Sequence, residues 1–535
     1  MTIRKILGIA ALASFAATGC IDLEVINPNQ PDRERALVTS EDIESLIGGS
    51  FTNWWWVQQS TASSGAILAT ISYMHSATAA NFGMVQFSGW PKVPAHFRPA
   101  DVFSWQNVGY AWSRIYRCIA AAQEGLRAIE GGAVTLAPAD EARAQAVGNF
   151  TLGLCHGHAA ILYDQAYIYD QSVDPEDVGL SPSPEVLAAA LGYLDKAIAA
   201  ASGQTFDIPV IWIPGNVNAA RLVQLAHSFK ARYRAAVART PAERAAVDWN
   251  AVLADIDKGI TADFGIDMTS GSGFFHNQQN NMVRLGAWGQ LSYQVLGMAD
   301  TSGQYQRWLA IPPDDRHPNL SADRTSDPFL IITPDTRFAQ GNTLAEQEAN
   351  PGSLYHIWTG AGGYSVGWLR PDRGTFRWSY YRSPVNEFLR STGTRAGRDY
   401  PEITLREMNL LKAEGLYRNG NLQGAADLVN LTRTAAGLNA TDAAGTNTSC
   451  VPRLPNGQCG DLWEMLKWEV RLETLATGYG NAPWYYFGRG WGDLAEGTFL
   501  QVPVPGDELE LLLLPMYTFG GIGGEWSAPV GTYGY

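Results

Sequence analysis

The sequence has little positive charge and few cysteines. Lys and Arg number 38 against 52 Asp and Glu, which gives a net charge of −14, and no basic patch offsets this balance. A nucleic-acid backbone is therefore not an expected partner, because binding it requires clustered cations. Charged residues are only 17% of the chain and hydrophobic residues 46%, a composition typical of an ordered globular protein.

Several motifs that mark common enzymes and metal sites are absent. The sequence contains no HExxH, GxxxxGK[ST] or CxxC. His156 and His158 are two residues apart on a predicted helix, so they lie on different faces and suit one metal poorly. Two pairs of acids could be considered as glycosidase carboxylates, Asp170 with Asp174 and Asp314 with Asp315. We expect both pairs to lie in turns or on the surface instead. We therefore expect no enzymatic activity, no metal and no other cofactor.

The cysteines suggest an oxidising compartment. Cys450 and Cys459 flank the turn-rich stretch VPRLPNGQ, and we expect them to form a disulfide in an exported protein. Cys118 and Cys155 lie in apolar helical segments, where they are either buried thiols or a second disulfide.

The first twenty residues have the layout of a secretion signal. Arg4 and Lys5 precede an apolar run at 6–17, whose 12 residues are too few to span a membrane. The run leads into ATGC, which resembles a bacterial lipobox ending at Cys20; ordinary signal-peptidase cleavage is the alternative. We predict a signal peptide at 1–19, acyl chains such as palmitate on Cys20, and an extended tether at 20–39.

The strongest periodic pattern covers residues 404–439. Apolar residues recur every three or four positions on both sides of Asn419-Gly420-Asn421, which predicts two antiparallel helices joined by a short turn. Ala413 and Ala425 on the inner faces allow a close approach. The hairpin resembles a tetratricopeptide unit, whose apolar face must be covered by stacked neighbours.

The remaining chain divides into helical segments and one irregular insertion. Further helices are predicted at 112–129, 139–170, 184–201, 218–239, 249–260 and 461–477. The segment at about 262–400 is rich in Gly, Asn, Pro and aromatic residues, which predicts an ordered but irregular insertion. We predict a mostly α fold of one domain at 40–535, with about four tetratricopeptide-like helix pairs forming an alpha-alpha superhelix.

Several stretches, taken in order, resemble the SusD/RagB family of outer-membrane nutrient-binding lipoproteins. They are Cys20 with Asp22-Leu23, ARAQAVGNFTLGLCHGHAAILYDQAY at 142–167, LDKAI at 194–198, KARYRAAVA at 230–238, Ala413-Glu414, the segment 469–473 and VPVP at 502–505. The resemblance implies a helical, cell-surface protein that holds oligosaccharide, or sometimes peptide, for a SusC-like TonB-dependent transporter of the outer membrane.

The aromatic residues supply candidate ligand contacts. There are 18 Trp, 22 Tyr and 19 Phe, and sugar recognition uses flat apolar faces beside amide or guanidinium groups. Three consecutive tryptophans at 54–56 cannot all face one way, so at least one belongs to the core. The candidates for ligand binding are Trp54, Trp105, Asn107, Arg284, Trp288, Trp378 and Tyr380.

Three functions fit the sequence. The first is a non-catalytic surface lipoprotein that binds oligosaccharide and delivers it to the transporter. The alternative is a secreted helical glycoside hydrolase or lyase, which requires two carboxyl groups about 5–10 Å apart in a cleft. The third is a tetratricopeptide-like scaffold that binds another protein on its concave helical surface.

Overall fold

Helices dominate the structure. The computed structural model describes residues 39–59, 64–77, 84–95, 109–174, 178–268, 272–274, 289–323, 326–357, 379–383 and 399–535. The α-helices are α1 (Ser40–Gln59), α2 (Ser64–Ile71), α3 (Met84–Ser88), α4 (Tyr110–Glu130), α5 (Pro138–Leu162), α6 (Ser183–Ala201), α7 (Ala219–Ala236), α8 (Pro241–Ala245), α9 (Trp249–Asp257), α10 (Tyr293–Leu296), α11 (Gln304–Leu309), α12 (Leu344–Ala349), α13 (Leu405–Arg418), α14 (Leu422–Arg433), α15 (Leu462–Glu473), α16 (Pro483–Trp491) and α17 (Gly506–Leu511). Within these ranges, none of the helices has the length and hydropathy of a membrane span.

Short antiparallel ribbons connect the helices. The strands are β1 (His75–Ala77), β2 (Gln165–Tyr167), β3 (Leu180–Pro182), β4 (Phe264–Asp267), β5 (Gly289–Leu291), β6 (His356–Ile357), β7 (Tyr381–Arg382) and β8 (Asp399–Ile403). They pair as β1 with β5, β2 with β3, β4 with β8 and β6 with β7. Short 3-10 turns are formed by Gly297–Ala299, Pro313–Asp315 and Tyr479–Asn481.

Four helix pairs are stacked in the described part of the chain. Helix α1 packs on α4, α5 on α6, α7 on α9 and α13 on α14. Each pair also contacts the next, through α4 with α5, α6 with α7, and α9 with α13. This arrangement confirms the predicted mostly α superhelix of tetratricopeptide-like pairs, in which every apolar face is covered by a neighbour.

The hairpin of α13 and α14 has the predicted turn and buried face. The Asn421 side chain accepts a hydrogen bond from the Gly424 backbone N–H at 3.0 Å and so caps α14. Gly420 between the helices has a φ of +80°, which glycine adopts without steric cost. Ala413 and Ala425 are both fully buried, as expected of small residues at a close helix contact.

Helix α5 is shorter than the sequence predicts. The apolar period suggests a helix at 139–170, but α5 ends at Leu162 and Tyr163 has extended backbone angles. The chain then forms β2, in which Gln165 pairs with Pro182 of β3. Pairing with a distant strand therefore overrides the local helical period.

The two ends of the insertion are adjacent. Antiparallel pairing of β4 with β8 places Phe264 opposite Ile403 and Asp267 opposite Asp399. Between these ends, described residues form short helices and ribbons around buried aromatic rings. The Tyr293 and Phe329 rings, for example, stack with centroids 4.1 Å apart. The described portion of 262–400 thus has its own apolar core.

Buried ion pairs join helices that are distant in sequence. Arg244 donates from Nε and Nη2 to the two oxygens of Glu414 at 2.9 and 2.6 Å. Arg232 donates to Glu402 from Nη1 at 2.8 Å and to Glu407 from Nε at 2.8 Å. Each guanidinium is almost completely buried, so its charge requires a carboxylate partner, which is Glu414 for Arg244 and Glu407 for Arg232.

The described residues contain two disulfides. Cys450 and Cys459 are bonded across the short loop between them, as the sequence suggests. Cys118 and Cys155 are bonded as well, which answers the choice between buried thiols and a second bridge. The Cys118–Cys155 disulfide links α4 to α5 and so joins two stacked helix pairs.

Candidate functional site

Most of the predicted ligand contacts lie outside the described residues. Trp105, Asn107, Arg284, Trp288 and Trp378 belong to this group, and so does the predicted lipidation site Cys20. Their roles stay predictions. Trp54 and Tyr380 are the two ligand candidates whose positions the structure gives.

Trp54 is part of the core. Its side chain is 1% exposed, and its ring lies 5.1 Å from Phe51 and 5.5 Å from Phe229. Trp55 is also buried and donates its indole N–H to the Phe274 carbonyl at 2.6 Å. Successive helical side chains are about 100° apart, so Trp56 points away from both the Trp54 and Trp55 directions. The half-buried Trp56, not Trp54, is the ring of this triplet that reaches the surface.

Trp56 belongs to a four-residue cluster formed by α1 and α4. The Arg114 guanidinium carbon lies 5.6 Å from the centre of the Trp56 ring and 5.1 Å from that of Tyr110. Arg114 also donates from Nη1 to the Asn53 side-chain oxygen at 3.1 Å. All four side chains are half-buried, so the cluster is packed yet reaches solvent. Asn53, Trp56, Tyr110 and Arg114 are called the α1–α4 cluster below.

The helix pairing explains why these residues meet. Asn53 and Trp56 are three apart on α1, and Tyr110 and Arg114 are four apart on α4, so each pair lies on one helix face. Close packing of the two helices depends on Gly125, because a Cβ there would lie 2.3 Å from Ile47 Cγ1. That contact joins the first half of α1 to the second half of α4, which leaves the end of α1 beside the start of α4.

The cluster combines the groups that recognise sugars. Indole and phenol rings offer flat apolar faces for the C–H side of a pyranose, while amide and guanidinium groups bond its hydroxyls. A guanidinium carries five N–H donors, and the bond to Asn53 uses one. Packing against two rings and an amide holds Arg114 in place, so little side-chain freedom is lost when a ligand binds.

Tyr380 lies in the insertion and has a partner there. Its hydroxyl donates to the Asn319 side-chain oxygen at 2.7 Å, and the ring is half-buried. Burial raises the pKa of Tyr380, so the hydroxyl stays protonated and acts as a donor. The amide–phenol pair has sugar-binding chemistry of its own, although it is built from residues other than the α1–α4 cluster.

His156 and His158 are both buried in the core. His156 Nδ1 lies 2.8 Å from the Leu152 carbonyl, and its Nε2 accepts the Tyr169 backbone N–H at 3.2 Å. This pattern assigns a neutral imidazole with the proton on Nδ1. Burial lowers the pKa of His156 and of His158 to about 4. Among the described side chains, no group of three His, Cys, Asp or Glu is arranged to hold a metal ion.

Asp170 stabilises a turn. Its Oδ1 accepts the Ser172 backbone N–H at 2.8 Å, and its Oδ2 accepts the Tyr193 hydroxyl at 2.9 Å. Burial would raise the pKa of Asp170, but the bonds from Ser172 and Tyr193 lower it overall. The Ser172 hydroxyl donates to Oδ1 as well, and a carboxylate held ionised by these three donors is suited to fixing a loop, which is the role the sequence favours.

Solved structures with the same architecture identify the fold. A SusD-like carbohydrate-binding protein from Bacteroides fragilis aligns over 93% of this chain and 95% of its own, with a TM-score of 0.53 and 12% identity. The chain has the SusD-like fold. A second SusD-like protein from the same species aligns over 90% of this chain and 97% of its own, with a TM-score of 0.52 and 14% identity.

Another similar structure is surface glycan-binding protein A from Bacteroides uniformis. It aligns over 84% of this chain and 87% of its own, with a TM-score of 0.50 and 12% identity. No protein-family model and no curated protein sequence matches the chain. The SusD/RagB resemblance seen in the sequence is thus confirmed in the fold, at sequence identities that leave the ligand open.

Proposed function

We propose that the protein is a non-catalytic surface lipoprotein that binds an oligosaccharide and delivers it to a SusC-like TonB-dependent transporter of the outer membrane. The α1–α4 cluster is the observation that carries the binding step. Two aromatic faces, an amide and a guanidinium converge there on the surface of a SusD-like fold. The named carbohydrate-binding and glycan-binding proteins with this fold support the same ligand class.

Three buried carboxylates serve the scaffold and are not available for hydrolysis. Glu407 and Glu414 each accept two hydrogen bonds from a buried arginine, and Glu469 is bonded to Arg337 in the same way. These carboxylates join helices and are occupied by cations. A glycosidase needs one carboxyl group that holds a proton and another that faces the sugar, and the paired carboxylates suit neither task.

Anchoring and delivery are proposed from the sequence. The lipobox-like ATGC places Cys20 at the start of the mature chain, where acyl chains would hold the protein on the outer membrane. Delivery to a TonB-dependent transporter follows from the SusD/RagB resemblance. Purification of the tagged protein from gently solubilised outer membranes tests this step. Recovery of a stoichiometric TonB-dependent transporter is expected, and its absence under those conditions counts against delivery.

Affinity electrophoresis tests the binding function. The mature protein is run in gels containing laminarin, xyloglucan, pullulan, xylan or pectic galactan, and the same mixtures are then analysed for released sugars. We expect at least one polysaccharide to retard the protein and none to yield products. Retardation by none of them would oppose glycan binding, and product release abolished by substitution of one carboxylate would show a hydrolase.

A further inference from the structure

A second concave surface lies apart from the α1–α4 cluster. It is a cavity of about 550 Å³ between the start of α6, the end of α7, helix α8 and the C-terminal segment. This volume is in the range of cavities that hold small molecules or one to a few sugar rings. None of the four residues of the α1–α4 cluster lines it, so the two surfaces are separate candidate sites.

Trp526 forms one wall of this cavity and is held there by a constrained backbone. The side chain is 42% exposed, and the residue has a φ of +51°, a region that bulky side chains rarely adopt. The Leu500 N–H donates to the Trp526 carbonyl at 3.0 Å, and Ser527 forms a β-bridge with Phe499. The surrounding bonds therefore fix an exposed indole in an unfavourable conformation, a feature that clusters at ligand sites.

Polar side chains lie on the inner surface of the cavity. Both carboxylate oxygens of Asp164 are within 3.0 Å of the Tyr517 hydroxyl, which fixes the direction of this acid. Burial raises the pKa of Asp164, although the bond from Tyr517 acts against this. The Gln501 side chain, which is 6% exposed, also lines the cavity. Carboxylate and amide groups are the usual partners of sugar hydroxyls.

Arg239 adds a buried cation whose hydrogen bonding is incomplete. Its Nη2 donates to the carbonyls of Ala160 and Tyr163 at 3.0 and 2.8 Å, at the C-terminal end of α5. Its Nε is buried and has no hydrogen-bond partner. Burial, with Arg489 nearby, lowers the pKa of Arg239 to about 9.

We propose that this cavity is a second saccharide-binding site, in which a sugar ring stacks on Trp526 and its hydroxyls bond to Asp164 and Gln501. The choice of a sugar rests on the proposed function and on the local chemistry. Pro182, Pro184 and Leu187 also line the cavity and add apolar surface, which suits the C–H groups of a pyranose ring. A protein with two such sites holds a polysaccharide more tightly than either site alone, because the second contact is intramolecular.

Fluorine NMR of mature protein labelled with 5-fluorotryptophan tests this site directly. Trp526→Phe and Trp56→Phe each remove one resonance and thereby assign it. The probes are the methyl glycosides of glucose, galactose, mannose and xylose at millimolar concentration, with an acetylated prolyl-proline amide as a peptide control. We expect the Trp526 resonance to shift saturably with at least one glycoside. Gln501→Ala should weaken that binding about tenfold through the loss of one hydrogen bond.

The outcomes separate the second site from the proposed function. A Trp526 shift with a glycoside but not with the peptide supports the second site, whether or not Trp56 responds. A Trp56 response without any Trp526 response overturns the second site and leaves the proposed function standing. A Trp526 shift with the peptide alone overturns the sugar assignment. If neither resonance responds to any glycoside, the second site is overturned, and the polysaccharide gels decide the proposed function.

Discussion

The Arg114 guanidinium donates a hydrogen bond to the Asn53 side-chain oxygen at 3.1 Å, across 61 positions of sequence. This bond joins the start of α4 to the end of α1 and places the cation beside the Trp56 and Tyr110 rings. The proposed binding site thus depends on a pair of packed helices that belongs to the repeat scaffold. A substitution in the scaffold should therefore change stability, whereas a substitution in the α1–α4 cluster should change ligand affinity.

Overpacking the α13–α14 hairpin should affect stability and not binding chemistry. Ala425 is fully buried, so Ala425→Leu adds volume where α13 and α14 meet. We expect the free energy of unfolding to fall by about 1–3 kcal/mol, measured by urea denaturation. Ala435→Leu places the same side chain at an exposed position and is the control. Loss of glycan binding by a fully stable Ala425→Leu protein would contradict the scaffold role of the hairpin.

The contribution of Glu402 to the free energy of unfolding should decrease as the pH rises. Burial raises the pKa of Glu402 to about 7, although Arg232 opposes this, and Arg232 is shared with Glu407. In the unfolded chain the same carboxyl titrates near the ordinary value of 4.5. Between these two pH values the folded state therefore holds a proton that the unfolded state has lost. The contribution of Glu402 to stability consequently falls as the pH rises through this window.

Glu402→Gln isolates this effect because glutamine stays neutral at every pH in the window. We expect the variant to lose less stability than the wild-type protein between about pH 5 and pH 8 in urea unfolding. The exposed Glu510→Gln is the matched control and should follow the wild-type profile. Equal pH profiles for Glu402→Gln and the wild-type protein would show that Glu402 is ionised throughout.

Membrane anchoring through Cys20 is tested by fractionation. Cys20→Ser removes the sulfur that would carry the acyl chain, so the protein should move from the membrane fraction to the soluble fraction. Substitution of Thr18, also close to the cleavage boundary, by Ser serves as the control and should leave the protein in the membrane. A Cys20→Ser protein that stays with the membrane would contradict acylation.

Much of the scaffold could be predicted from the sequence because its signals are local. The α13–α14 hairpin is encoded by a helical period around Asn419-Gly420-Asn421, and both Ala413 and Ala425 are buried as expected. The end of α5 could not be predicted in this way. Its helical period continues beyond Leu162, whereas the backbone leaves the helix to pair with residues 180–182.

The candidate site was harder to predict because its parts are far apart in sequence. Aromatic and apolar residues at 51–57 occupy several faces of α1. The helical periodicity therefore does not indicate whether Trp54 or Trp56 points outward. Arg114 was missed because its partner Asn53 lies on another helix. The sequence signal that indicates Arg114 is its spacing of four residues from Tyr110, which places an aromatic ring and a cation on one helix face.

Isothermal titration with an oligosaccharide of whichever polysaccharide retards the protein tests the central claim most directly. Trp56→Ala and Arg114→Ala should each weaken binding about tenfold or more, because each removes a stacking face or a cationic donor. Arg117→Ala removes an exposed arginine from the same helix and should bind as the wild-type protein does. If Trp56→Ala and Arg114→Ala, folded as shown by their melting curves, bind with wild-type affinity, the α1–α4 cluster is not the binding site.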